Sequence, residues 1–303
     1  MNYNRRKFLR MGGNAALALA ILPAAACNFG SDEKKAEEGS TPGTLEDDVA
    51  ALTKFGLQLY TLRDDLPKDP KGVLKQVASF GYKQIEGYEG PQGMFWNMTH
   101  TDFKKYMDDL GTEFIASHCN IDKDFEQKAA QAAEIGMKYL ICPWKGPQKS
   151  LDDYKKIADD FNVKGEICKK AGIRFAYHNH DYTFKQVEGQ FPQDVLMKGT
   201  DANLVDFEMD IYWVVTAGQD AEQWMKNYKN RFRSCHVKDR TKNATEAADS
   251  CTLGKGSIDF AKILKTAKAT GMEYYIVEQE KYTGTTPLEA VKENAEYMKQ
   301  LKF

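Results

Sequence analysis

Four short apolar runs in the second half of this 303-residue chain each finish on groups that can hold a metal or move a proton. They are Phe175 to His180, Leu204 to Asp210, Ser234 to His236 and Tyr275 to Glu278. In the first, His178 and His180 stand two apart and share a strand face, so both are ligand candidates or hydrogen-bonding rim residues. Asp210 ends the second; a carboxylate there is costly to bury without a cation, and Glu208 on the same face offers a second acid or an ion-pair partner. His236 and Lys238 share a face in the third, a neutral imidazole ligand beside an ammonium able to hold a developing oxyanion. Glu278 and Glu280 repeat the spacing in the fourth, one as a ligand and the other as a substrate contact or a partner for Lys281.

Imidazoles and carboxylates without thiolates suit one divalent ion of the hard to borderline kind, Mn²⁺, Co²⁺, Mg²⁺ or Zn²⁺. The ligands would come from His178 or His180, Asp210, His236, and Glu278 or Glu280, and the ion would polarise a carbonyl or vicinal oxygens. His118, His178, Lys238 and Glu278 are the acid, base and oxyanion candidates, although a lone strand histidine such as His118 can equally be structural. Polar and aromatic groups at other strand ends, Gln58, Tyr60, Glu86, His180, Trp144, Trp213 and Glu280, are read as substrate contacts.

Positioning such a ring requires strands that all point their C-terminal ends at one mouth. The steps between His180, Asp210, His236 and Glu278 are 30, 26 and 42 residues, close to the length of one strand–helix unit. From residue 54 onward, short β-rich runs alternate with amphipathic stretches such as Leu151 to Ala171 and Phe260 to Ala269. Eight strand candidates result: Phe55 to Tyr60, Tyr82 to Glu86, Glu113 to His118, Tyr139 to Cys142, Ile173 to Asn179, Leu204 to Glu208, Ser234 to Lys238 and Tyr274 to Glu278. Gly81, Gly111, Gly136, Gly172 and Gly271 each sit before a strand, which predicts a left-handed cap at five helix ends. Eight such units close into an α/β (β/α)8 TIM barrel, here a single domain over residues 54–303.

The first 53 residues read differently. Asn4 to Arg10 precedes an apolar stretch, Ala15 to Ala26, too short to span a bilayer. The paired arginines before Phe8-Leu9 resemble a twin-arginine export signal, and Pro23 to Cys27 is similar to a lipobox that would lipidate Cys27. Residues 1–27 are thus read as a signal and 28–53 as a flexible linker, giving an exported protein, periplasmic or anchored to the outer membrane through lipid at Cys27. A formal charge of −2 gives no electrostatic case for nucleic acid, so the expected partner is a small molecule, and the aromatic faces near the strand ends suit a carbohydrate.

Asp210-Ile211-Tyr212-Trp213, His236-Val237-Lys238-Asp239, Leu253 to Asp259 and Glu278 together resemble the xylose isomerase-like TIM barrels, over residues 54–303. The resemblance implies one divalent metal held from the fifth to eighth strands, with Asp210, His236 and Glu278 in three of the four ligand positions. The fourth position, a glutamate in the epimerases, is His178 here. Because that glutamate usually serves as one of two opposed acid/base groups, its replacement argues for one strong base and loss of a leaving group. The resulting expectation is enolisation of a keto-sugar followed by β-elimination from a 3-keto-glycoside. A sugar isomerase or epimerase using the same proton abstraction is the alternative, and a non-catalytic sugar-binding lipoprotein a third.

Overall fold

A computed structural model of the protein describes residues 52–303. The expected export signal with Cys27, and the linker as far as residue 51, lie outside the described residues. Eight parallel strands form a closed barrel: β1 (Gly56–Gln58), β2 (Gln84–Tyr88), β3 (Glu113–His118), β4 (Tyr139–Cys142), β5 (Arg174–His178), β6 (Val205–Asp210), β7 (Phe232–Val237) and, after the small hairpin of β8 (Asp239–Arg240) and β9 (Ser250–Cys251), β10 (Tyr274–Val277). Each barrel strand pairs with its sequence neighbour, and β10 closes on β1. The eight expected strands are these eight. Their ends move by up to two residues, and Tyr60 falls in a tight helical turn just past β1.

Helices α1 (Pro70–Ser79), α2 (His100–Asp109), α3 (Phe125–Glu134), α4 (Leu151–Ala171), α5 (Pro192–Gly199), α6 (Ile211–Thr216), α7 (Ala221–Asn227), α8 (Phe260–Ala269) and α9 (Pro287–Gln300) cover the outside. The longest, α4, shows why these stretches are helical. Its buried residues Leu151, Tyr154, Ala158, Phe161, Gly165 and Cys168 recur at intervals of three and four, one stripe on a 3.6-residue repeat. Ser150 starts it by accepting a hydrogen bond from the Asp153 N–H, and Gly172 ends it at φ 94°. The other four glycines expected to cap helices also take positive φ.

The main hydrophobic core lies between barrel and helices. A second, small apolar cluster, including Ala116, Ile141, Ala176 and Ile276, plugs the barrel itself. Below it Arg174 pairs with Asp206, whose carboxylate also accepts from the Tyr139 hydroxyl. Above it lie the buried polar side chains of Gln58, Glu86, His178, Glu208, Asp210, His236 and Lys238.

Two register shifts set that polar layer. The β2/β3 ladder slips between Ile85 and Glu86, and the β6/β7 ladder slips between Phe207 and Glu208. A bulge re-aims the residues next to it. Both occur immediately before a carboxylate, and both carboxylates, Glu86 and Glu208, are completely buried in the barrel axis.

Candidate active site

The polar end of the barrel is built in two layers. The lower layer centres on Glu208. Its Oε2 accepts hydrogen bonds from His118 Nε2 at 2.8 Å and His178 Nδ1 at 3.1 Å, and its Oε1 accepts from Ser234 at 2.9 Å. Glu86 lies beside it, accepting from Gln58 Nε2 and His236 Nε2, both at 2.7 Å. The upper layer holds Asp210, Glu278, Lys238 and the outward nitrogens of His178 and His236. There His236 Nδ1 is 3.2 Å from Glu278 Oε2, and Asp210 Oδ2 is 3.8 Å from both His236 Nδ1 and His178 Nε2.

Spacing tells the layers apart. Bonds of about 2.0–2.2 Å to a four-coordinate ion place neighbouring donor atoms roughly 3.3–3.6 Å apart. Upper-layer separations of 3.2 to 3.8 Å bracket that range. The shortest lower-layer contacts, 2.7 and 2.8 Å, are direct hydrogen bonds with a proton between the atoms, while His178 and His236 stand 3.1 Å from Glu208 and His118 stands 3.3 Å from Glu86. Both layers bring together donors that could hold an ion, His118, His178, Glu208 and His236 below and Asp210, His236 and Glu278 above, and the short hydrogen bonds of the lower layer make the upper one the better-spaced set.

Asp210 gives an independent sign of the same thing. One of its oxygens accepts the Trp213 N–H at 3.1 Å and so starts α6. The other, Oδ2, is buried and receives no well-directed hydrogen bond, although the Lys238 ammonium stands 3.1 Å away. A buried carboxylate oxygen left in that condition fits a cation. Asn179 fixes the position of Asp210 by clamping its backbone: the amide donates to the Asp210 carbonyl and accepts from the Asp210 N–H. His178, Asp210, His236 and Glu278 would thus hold a divalent ion, with Glu208 and Glu86 accepting from the far nitrogens of the two imidazoles and turning Nε2 of His178 and Nδ1 of His236 toward it.

Charge follows the geometry. Burial alone would lower His118, but the Glu86 and Glu208 carboxylates outweigh it and push its pKa up to about 9. Burial depresses His178, and it takes His180 down to about 2 with help from His178. Glu208 and Glu278 are held well below the usual carboxylate range because nearby imidazoles, and for Glu278 the Lys238 ammonium, overcome the burial that opposes ionisation.

A cavity of about 530 Å³ opens over the upper layer, lined by His118, His178, Glu278 and Glu280 at its base and by Tyr60 and Trp144 at its mouth. Of the residues read as substrate contacts, Tyr60, Trp144, His180 and Glu280 line it. Gln58 and Glu86 do not: both are completely buried below its floor and bonded to each other. Trp213 lies to one side, with Lys238 5.0 Å from its ring centre. Glu280 pairs with Lys238 at 2.6 Å, and Lys281 pairs with Asp249 instead. The role of Glu208 as the shared acceptor of the lower layer is the main feature the sequence reading leaves open. Asp239 is a structural acid: it accepts the N–H groups of Arg240, Gly254, Gly256 and Ile258 and ties the glycine-rich loop to the barrel.

Comparison with known proteins agrees with this architecture. Inosose dehydratase from Clostridium perfringens is 31% identical over 165 residues, 49% of this chain and 55% of that protein, so the chain spans about half the length of this relative. Inosose dehydratase from Clostridium botulinum strain Alaska E43 is 27% identical over 288 residues, 85% of this chain and 89% of that one. A sugar phosphate isomerase/epimerase structure from Parabacteroides distasonis superposes with a TM-score of 0.70 at 31% identity, covering 84% of this chain and 96% of that one. With residues 74–301 matching its sequence pattern, the chain belongs to the xylose isomerase-like TIM barrel family.

Proposed function

We propose that the protein is a divalent-metal-dependent lyase that enolises a cyclic keto-sugar and then expels a β-oxygen substituent, with a 3-keto-glycoside as substrate. The observation that carries this is the pairing of His118 with Glu208 and Glu86, at 2.8 and 3.3 Å, on the wall of the cavity. An imidazole between two buried carboxylates keeps its proton at neutral pH and is equipped to donate rather than to abstract. Elimination needs one base and one acid, whereas epimerisation needs two bases on opposite faces. Relatives named as dehydratases support the same reading, since dehydration is elimination of water.

A bound ion would supply Lewis acidity at the ketone oxygen and its neighbour. The residues do the rest. Glu278 lines the cavity, and its carboxylate, part of the donor set, removes the proton from the carbon next to the ketone. The electron pair moves into a carbon–carbon double bond as charge builds on the ketone oxygen, and the Lys238 ammonium, buried beside Glu278 and Glu280 of the cavity, would offset that charge. As the enolate collapses, the bond from the β-carbon to the leaving oxygen breaks and His118 protonates that oxygen. The products are an unsaturated keto-sugar and an alcohol, or water.

Incubating the full-length, Mn²⁺-loaded protein with phenyl 3-keto-β-glucoside tests this. Release of phenol with an unsaturated keto-sugar is expected; an intact glycoside inverted next to the ketone would establish the epimerase reading, which the Parabacteroides structure favours. Residues 1–27 support an exported form lipidated at Cys27, to be tested by fatty-acid labelling that is lost in C27A.

A further inference from the structure

The Lys238 side chain is 1% exposed, and its ammonium faces three carboxylates: Glu280 Oε1 at 2.6 Å, Glu278 Oε2 at 2.9 Å and Asp210 Oδ2 at 3.1 Å. Two of these atoms are the oxygens that face the imidazoles of the metal-spaced layer. Glu278 Oε2 is 3.2 Å from His236 Nδ1, and Asp210 Oδ2 is 3.8 Å from His178 Nε2. One pair of oxygens is therefore shared between an ammonium and a divalent-ion donor set. Two cations held this close repel strongly where water is excluded, so full engagement of one weakens the hold on the other.

Glu280 is placed to resolve that conflict. It makes the shortest contact to the ammonium, its side chain is 32% exposed, and it lines the cavity outside the donor set. Lys238 also lies 5.0 Å from the ring centres of both Tyr212 and Trp213, which leave an attractive surface for a cation on its other side. We propose that Lys238 is an exchangeable counter-ion, bridging Asp210 and Glu278 in the metal-free protein and withdrawing onto Glu280 when a metal loads. Metal loading would then deliver the ammonium to the cavity wall where an oxyanion forms, so the acid centre and its cationic partner assemble together. The inference rests on the donor set assigned above.

Calorimetric titration of chelator-treated, full-length protein with Mn²⁺ tests it, using wild type, K238M, E280Q and the double variant. K238M removes the competing charge and is expected to tighten Mn²⁺ binding by about tenfold; E280Q removes the retreat and should weaken it by a similar factor. In the K238M background, E280Q should change the affinity less than about twofold, because no ammonium remains to be moved. An E280Q effect of equal size in both backgrounds, or K238M binding that is unchanged or weaker, would overturn the exchange while leaving the donor set intact. Failure of the wild type to bind Mn²⁺ would remove the donor set and the exchange with it. If K238M does not fold without metal, K238Q, which keeps hydrogen bonding without the charge, takes its place in the cycle.

Discussion

At the residue scale, the site is a problem of where three imidazoles point. His178 and His236 each have one nitrogen on a lower-layer carboxylate and the other toward Asp210. Glu208→Gln removes the charge that orients His178 and His118, and Mn²⁺ affinity should fall about 10- to 100-fold, measurable by competition with a chelator. His118→Gln should act differently. It leaves the metal donors in place, so Mn²⁺ stoichiometry should persist while kcat falls by about 10²- to 10⁴-fold, as expected for a lost general acid. Equal loss of metal in both variants would show that His118 is a ligand.

At the element scale, two glycines separate packing from backbone conformation. At Gly165 in α4 an added Cβ would lie 2.8 Å from both the Leu204 carbonyl oxygen and its Cβ, so the helix lies flush against the segment entering β6. Gly165→Ala must push α4 off the strand that carries Glu208 and Asp210, costing about 1–3 kcal/mol in denaturant unfolding. Gly172 has open space around it but sits at φ 94°. Gly172→Ala should cost only about 1 kcal/mol, through backbone strain alone. Strand and helix placement was legible because hydrophobic period and glycine caps are local signals, and the convergence of His118, His178, Asp210, His236, Lys238 and Glu278 follows once the strands are parallel. The bulges before Glu86 and Glu208 were not legible. They depend on how neighbouring strands slide, and the contacts they create join residues 90 and 150 positions apart. Hence Glu86 reads as a substrate group from its strand-end position, yet the fold turns it into a buried acceptor for His236. The clamp of Asn179 on Asp210 is hidden for the same reason, since it forms just where β5 gives out.

At the scale of the whole molecule, the histidines make metal-free stability depend on pH in both directions. His118 is raised to about 9, so its contribution is fully present below the unfolded value near 6.5 and is lost as pH rises through 9. His180 is lowered to about 2 by burial, so the folded protein refuses a proton that the unfolded chain accepts, and stability falls as pH drops below about 6.5. Thermal melts of chelator-treated protein should therefore peak near pH 6.5 and decline on either side; a monotonic profile would contradict these assignments.

The placing of the ion in the upper layer of the barrel end rather than the lower is tested most directly by anomalous diffraction from crystals grown with Mn²⁺. A single peak within about 2.3 Å of His178 Nε2, Asp210 Oδ2, His236 Nδ1 and Glu278 is the predicted result. A peak centred instead among His118, Glu86 and Glu208 would contradict it, because the contacts read here as hydrogen bonds would then be metal bonds.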